Sequence, residues 1–375
     1  MRRHSLLICL LVFGVSSFAQ TTYYVAVNDG LWSNAATWST TYNGSGGAGV
    51  PTSADYVRTN GRRVIVDSDV TIRRLFVNAN TANSIRYDAD NGLDPYTITI
   101  TELMVGSSGD FTSGNGINTK PTTTVIELNQ DLRFRFTGAN STNVLRSWSN
   151  SAPLPYVIID APGLTINTQD NTGGVTGGEF RVRYNLTVSN GTFQPMENIG
   201  DYAGSALLTV ASGATLDLSL ASINGDGTTG TRFNSATIAG TTTISGDQYL
   251  NLNSLTVQAS GALNINSSGS NQTAGWWYQS TAPTGSVTLS GPVTYGASAA
   301  QTIATVAPYT NLTLSGSGFT KTAASGGAFQ VNGALSIGSS VTLVTNAASS
   351  VILRGNVTND GSWSPTQTIR FEGTT

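Results

Sequence analysis

Three aspartates at close spacing in this sequence could bind a metal ion. Asp88, Asp90 and Asp94 surround an Asn-Gly pair in the run YDADNGLDPY. Carboxylate oxygens grouped at a glycine turn can bind Ca²⁺. The run lacks the further acidic ligand of an EF-hand loop, and Asp and Asn beside glycine are also ordinary turn residues. We expect either a structural calcium site or a plain turn here, and no other cofactor.

A second pair of carboxylates lies between arginines in the run RRVIVDSDVTIRR. On an extended strand, Asp67 and Asp69 share one face with Arg63, Ile65, Thr71 and Arg73, while Val64, Val66, Val70 and Ile72 occupy the other. Such a pair could serve a polysaccharide-degrading enzyme. We favour the competing interpretation, an outer face neutralised by cross-strand ion pairs. A lyase would also need a base, and we place the only two lysines, Lys120 and Lys321, in polar turns.

The stretch GWWYQS is the most unusual aromatic segment of the chain, with Trp276, Trp277 and Tyr278 in succession. In an extended segment neighbouring side chains point to opposite faces, so burial of both tryptophans is not expected. An exposed Trp-Tyr platform could stack on a sugar ring or contact a partner protein. A loop that folds its aromatics back onto the protein is the alternative. Trp32 and Trp38 are instead expected to be buried in a cap.

The first 19 residues have the pattern of a secretory signal peptide. A basic start precedes the apolar run LLICLLVFGV, which is too short to span a bilayer, and a small-x-small site follows. Cleavage before Gln20 removes His4 and Cys9, the only histidine and cysteine. Disulfides, thiolate nucleophiles, histidine triads and His/Cys zinc sites are therefore excluded from the mature chain. We expect no membrane span after cleavage and an extracellular or outer-surface location.

The composition favours strands over helices. Only 10% of the residues are charged, and glycine reaches 42 of 375. Short polar and β-branched side chains disfavour helices and suit short strands joined by tight turns. Loss of the two arginines of the signal makes the net charge of −3 more negative. An acidic chain of this kind does not indicate nucleic acid as a partner.

Internal repeats indicate how these strands are arranged. NLTV at Asn185–Val188 returns as SLTV at Ser254–Val257 and NLTL at Asn311–Leu314. Each repeat is a strand of about four to six residues with alternating polarity, closed by Gly, Asn or Ser. The pattern predicts an all-β fold, specifically a right-handed parallel β-helix or solenoid with an N-terminal cap. Tandem immunoglobulin-like domains compete, but their buried tryptophans would need regular spacing.

Three regions follow from this interpretation. Residues 1–19 are the signal peptide, residues 20–130 the N-terminal cap and first coils, and residues 131–375 the repetitive solenoid. The final run IRFEGTT resembles the start of an earlier repeat, so we expect the sequence to be truncated at its C-terminal end. Threonine alternation, as in YTITIT, is also typical of ice-binding solenoids, but its spacing here is uneven.

The stretch from Asn28 to Val77 contains a G-x-W-S…T-W pair, the turn GVPTSAD and the extended run VIVDSDVTI. With these motifs it resembles the start of large secreted surface proteins of the Bacteroidota type. Later segments, VNGALSIGSSVTL and LRGNVTNDGSW, are similar to the repeat blocks of those proteins. The resemblance implies export by the type IX route, β-solenoid repeats and an adhesin-like or matrix function. The C-terminal sorting domain that this route requires is not found in the sequence.

These observations predict a secreted cell-surface structural protein, adhesin-like and without catalytic activity. The alternative is a carbohydrate-binding or polysaccharide-degrading protein. Surface glycans or other cell-surface proteins are the expected partners. Few carboxylates occur in the second half of the chain, which argues against an active site there.

Overall fold

The computed structural model describes residues 22–60, 62–77, 96–106, 133–138, 144–146, 154–169, 180–196, 198–201, 204–225, 233–267 and 285–373. Within these ranges the protein is all-β, as predicted, and the one helical element is a 3₁₀ turn at Ala35–Thr37. No helix in these ranges is long and apolar enough to cross a membrane.

The described ranges contain thirty strands, numbered here in chain order. The first fifteen are β1 Tyr23–Ala26, β2 Gly30–Leu31, β3 Trp38–Ser39, β4 Tyr56–Arg58, β5 Val64–Ile65, β6 Val70–Val77, β7 Thr97–Gly106, β8 Arg133–Phe136, β9 Val144–Arg146, β10 Leu154–Gln169, β11 Phe180–Gln194, β12 Ile199–Asp201, β13 Leu207–Val210, β14 Thr215–Leu218 and β15 Ile223–Gly225. The others are β16 Phe233–Ile238, β17 Thr241–Gly246, β18 Leu252–Val257, β19 Ala262–Ser267, β20 Val287–Tyr295, β21 Gln301–Ile303, β22 Tyr309–Leu314, β23 Thr320–Ala323, β24 Ala328–Val331, β25 Leu335–Ile337, β26 Thr342–Val344, β27 Ser350–Leu353, β28 Val357–Asn359, β29 Ser362–Trp363 and β30 Ile369–Phe371.

Backbone pairing joins 24 of these strands into one sheet, and every pairing in it is parallel except the antiparallel pairing of β1 with β3. Eight of them close into a ring in the order β11, β13, β16, β18, β20, β19, β17, β14 and back to β11. The remaining strands lie outside this closed parallel barrel. Two smaller parallel sheets, β2-β5 and β21-β23-β26-β29, complete the described structure.

The predicted right-handed parallel β-helix or solenoid is wrong, because the eight parallel strands form a closed barrel. Closure depends on two strands that are longer than the repeat pattern suggested. β11 has 15 residues and bonds to both β13 and β14, while β20 has nine and bonds to both β18 and β19. The repeats define single short strands by their local alternation. They carry no information on a strand that continues from one ladder into the next.

The core consists of matched apolar rows on the inner side of these ladders. Leu186 lies beside Leu208, and Val188 lies beside Val210, on β11 and β13. All four side chains are buried. Each buried Leu, Ile or Val contributes roughly 1.5–3 kcal/mol by removing apolar surface from water. The alternate residues of the same strands therefore face outward, which is where polar side chains collect.

The N-terminal part buries its two tryptophans, as the sequence predicted. Trp32 and Trp38 are 1% and 0% exposed, and their rings meet edge to face with centroids 4.9 Å apart. The indole Nε1 of Trp38 donates a hydrogen bond of 2.8 Å to the Trp32 carbonyl. Both side chains are thus part of the core and are not available to a ligand.

Candidate functional site: a polar cleft on the outer face

A cleft of about 420 Å³ opens on the outer face of the sheet, across β6, β7, β8, β10 and β11. Most of its lining is hydroxyl-bearing or charged. The lining residues are Asp69, Val70, Thr71, Thr97, Thr99, Arg133, Arg135, Ile158, Asp160 and Ser189. We call this the outer-face cleft.

Strand alternation explains why these side chains point outward. In β8 the sequence RFRF buries Phe134 and Phe136 and leaves Arg133 and Arg135 exposed. In β7 the threonines of TITI alternate in the same way with buried isoleucines. Successive residues of a strand point to opposite faces of the sheet, so the apolar half anchors each strand and the polar half forms the cleft.

Parallel register sets which side chains are neighbours. Thr97 pairs with Arg133, which pairs in turn with Tyr156 on β10. One row further along the strands, Thr71, Thr99 and Arg135 lie side by side. Adjacent strands are about 4.8 Å apart, so each row offers closely spaced groups to a single ligand.

Arg135 and Asp160 form an ion pair at one side of the cleft. The Asn190 amide also donates a hydrogen bond of 2.7 Å to the other oxygen of Asp160. Burial opposes ionisation of this carboxyl, but the hydrogen bonds from Asn190 and Arg135 and the charge of Arg135 outweigh it, so the pKa of Asp160 is lowered. Asp160 is therefore a fixed carboxylate at neutral pH, and its charge is balanced by Arg135.

Asp69 and Arg133 carry the other two charges of the cleft. A carboxylate oxygen of Asp69 accepts a 2.7 Å hydrogen bond from the backbone N–H of Thr97. The exposed Arg133 guanidinium makes no ion pair with any described residue. Among the residues that the structure describes, Arg133 is thus the cleft arginine without a carboxylate partner, and its donors face the cleft.

Two tyrosines extend this surface beyond Arg133. The rings of Tyr156 and Tyr184 lie with centroids 5.3 Å apart and planes 30° apart, and both side chains are half-buried. The Arg183 guanidinium lies 5.4 Å from the Tyr184 ring centroid, in cation–π geometry. Hydroxyls, an arginine and an aromatic pair on one rigid face can together contact a ligand that has both polar groups and a ring.

A buried charged cluster lies on the neighbouring part of β6 and β7. Glu102 is 6% exposed and forms ion pairs with Arg73 and Arg74. Both guanidinium groups also lie over the Tyr56 ring, at 5.4 and 4.5 Å from its centroid. Burial, the largest cause, raises the pKa of Tyr56, and its neighbours act in both directions. These ion pairs and ring contacts join the residues of the cluster to one another, so we assign it a role in stability.

The structure separates the two carboxylates that the sequence analysis considered together. Asp67 accepts hydrogen bonds from the backbone N–H and the hydroxyl of Ser33, whereas Asp69 lines the cleft. The arginine partners of Glu102 come from the same run. Because only Asp69 of the two reaches the cleft, Asp67 and Asp69 do not form a carboxylate pair there.

The other predicted sites lie outside the described residues. This holds for the aromatic platform of Trp276, Trp277 and Tyr278 and for the calcium candidates Asp88, Asp90 and Asp94. Both remain predictions. In the described ranges, no group of three or more His, Cys, Asp or Glu side chains could hold a metal ion.

The placement of Lys321 in a polar turn is wrong. Lys321 lies in β23 and is fully buried. Its ammonium group donates to the carbonyls of Ala297 and Ala299, at 2.6 and 3.1 Å, and to the side-chain oxygen of Gln301 at 2.5 Å. The sequence TKTA gave the lysine a polar neighbourhood, but strand alternation directs it inward with Ala323. The other lysine, Lys120, lies outside the described residues.

Sequence reasoning missed most of the cleft. The alternations RFRF and YVIID were available signals, because each places charged or aromatic groups on one strand face. The parallel register that brings Arg133 beside Tyr156 has no signal in the sequence of either strand. Comparison with known protein families, curated proteins and solved structures finds no match. The resemblance to Bacteroidota surface proteins therefore stays a prediction.

Proposed function

We propose that this protein is secreted, remains at the outer cell surface, and has a structural, adhesin-like function in which it binds saccharides without transforming them. The outer-face cleft is the observation that supports the proposal most directly. It presents hydroxyls, guanidinium groups and carboxylates on the solvent side of a sheet whose other side is a packed core. Saccharides match such a surface because they combine many hydroxyls with a ring.

Rigidity supports binding by this face. The threonines and arginines of the cleft come from strands whose alternate residues, including Ile98, Phe134 and Val157, are completely buried. A site on anchored strands loses less conformational entropy when a ligand binds than one on a loop. A surface adhesin needs this kind of preformed contact because its ligand is presented by another cell or by the matrix.

The charge state of the cleft argues against glycoside hydrolysis. A hydrolytic general acid needs a carboxyl with a raised pKa, whereas the pKa of Asp160 is lowered. Lys321 cannot serve as a base in the cleft, because it is fully buried and bonded to oxygens on another part of the chain. The cleft groups are better suited to hold a ligand than to transfer protons to it.

Binding can be tested with the mature chain and a panel of soluble polysaccharides in affinity gel electrophoresis. Thr99→Val removes a cleft hydroxyl while preserving shape, and we expect roughly 3- to 10-fold weaker binding, the worth of one hydrogen bond. Thr237→Val is the matched control, since Thr237 lies on β16 outside the cleft lining. An equal loss of affinity in Thr99→Val and Thr237→Val would contradict the proposal. So would a mature chain whose migration no polysaccharide retards.

Two further measurements address the remaining parts of the proposal. Prolonged incubation with the retained polysaccharide should release no reducing ends or unsaturated products, and turnover would show an enzyme instead. Expression with the leader in a Gram-negative host should yield a mature chain whose mass begins at Gln20. A cytoplasmic, unprocessed product would contradict the proposed location.

A further inference from the structure

The charged side chains of the outer-face cleft differ in whether they have a described partner. Arg135 is paired with Asp160, and Asp69 accepts a backbone N–H, but the Arg133 guanidinium makes no ion pair with any residue that the structure describes. A guanidinium presents a planar fork of donors that matches a carboxylate in a bidentate arrangement. Arg133 is therefore the point of the cleft best suited to a negatively charged group.

The surroundings of Arg133 indicate how such a ligand would lie. On one side, Thr97 separates it from Asp69, two strand spacings or roughly 10 Å away. On the other side, its direct neighbour is Tyr156, whose ring packs near that of Tyr184. An anionic ligand is repelled from the Asp69 side and meets an aromatic pair on the other side. Aromatic faces are suited to the apolar face of a sugar ring.

We propose that the outer-face cleft binds a saccharide that carries a carboxylate, with Arg133 paired to the carboxylate and the Tyr156–Tyr184 pair against an adjoining ring. The inference rests on the proposed saccharide-binding function and specifies its ligand class. Neutral sugars would use the hydroxyls and the tyrosines but leave Arg133 without its counter-ion. An acidic peptide could satisfy Arg133 but has no ring to place regularly beside the tyrosines.

The decisive comparison uses one sugar in two charge states. Oligogalacturonate and its full methyl ester share the same rings and linkage and differ in the negative charge. We expect calorimetric titration of the mature chain at low salt to give about 10-fold or more tighter binding of the acid, as one charge-assisted pair provides. Because screening weakens exposed charge pairs, the difference should shrink as salt is added.

Variants assign the preference to individual residues. Arg133→Ala should abolish the preference for the acid, while Arg133→Lys should retain part of it, because lysine keeps the charge without the planar fork. Arg370→Ala is the charge-matched control, since Arg370 is exposed on β30 and outside the cleft lining. Tyr156→Ala should weaken binding of the acid and binding of the ester by the same factor. Thermal melts of all variants confirm that the fold is retained.

The outcomes separate this inference from the proposed function. Equal affinity for acid and ester, or an undiminished preference in Arg133→Ala, overturns the carboxylate assignment and leaves saccharide binding in place. Failure to bind these oligosaccharides and every polysaccharide of the panel removes both proposals. Tighter binding of a polyglutamate peptide than of oligogalacturonate overturns the inference in favour of an acidic protein partner.

Discussion

Lys321 should make the protein more stable as the pH rises above neutrality. Its ammonium group is fully buried and donates to Ala297, Ala299 and Gln301. Burial disfavours the charged form and lowers the pKa of Lys321 to about 8 from the 10.5 expected in the unfolded chain. Between these values the unfolded state binds more protons than the folded state, so the free energy of unfolding increases with pH.

The magnitude follows from the distance to the folded pKa. Each pH unit above the folded pKa raises the free energy of unfolding by about 1.4 kcal/mol. At pH 9.5, which is 1.5 units above a pKa of about 8, the free energy of unfolding should therefore be about 2 kcal/mol higher than at pH 7. The window ends there because tyrosines begin to titrate. The pKa values of Tyr24 and Tyr56 are raised, chiefly by burial, so stability from these groups is present below pH 10 and is lost at higher pH.

Urea unfolding at intervals between pH 7 and 9.5 measures this effect. Lys321→Met is the control, since it keeps a long apolar stem at the site and removes the titrating group. Groups that titrate elsewhere contribute equally to both proteins, so the difference between the two slopes isolates Lys321. Parallel pH dependences for the natural chain and Lys321→Met would refute the argument, as would a natural chain that loses stability in this window.

Two further substitutions test the packing on which the cleft depends. Glu102→Gln removes a buried carboxylate from its two arginines and should lower the free energy of unfolding by about 1–3 kcal/mol, since the arginines remain partly hydrated. The control Glu372→Gln, at a more exposed ion pair, should lower it by less than about 1 kcal/mol in the same urea titration. Equal losses of stability in the two variants would contradict the role assigned to Glu102. Gly191→Ala places a Cβ 1.9 Å from the Ala161 carbonyl at a φ of +75°, whereas Gly213→Ala has a φ of +81° and open space. The control Gly213→Ala should lose about 1–2 kcal/mol of stability from backbone strain alone, and Gly191→Ala should lose clearly more because of the added clash. Similar thermal midpoints for the two variants would contradict this prediction.

The outer-face cleft shows where sequence reasoning succeeded and where it stopped. The alternation in RFRF is sufficient to bury Phe134 and Phe136 and expose Arg133 and Arg135, because strand periodicity is a local property. That Arg133 lies beside Tyr156 depends on the register between β8 and β10. Backbone hydrogen bonds have the same geometry for many pairings, and the matching of apolar rows across the whole sheet selects among them.

The sequence alone determined that the described protein is all-β, that Trp32 and Trp38 are buried, and that cleavage after residue 19 would leave no cysteine or histidine. Each of these follows from residue type, from composition or from a pattern of a few neighbours. The tertiary structure decided the closure through β11 and β20, the burial of Lys321 and the charge balance of the cleft. These features arise from contacts between segments far apart in the chain, and such contacts depend on pairing and packing that no short stretch of sequence specifies.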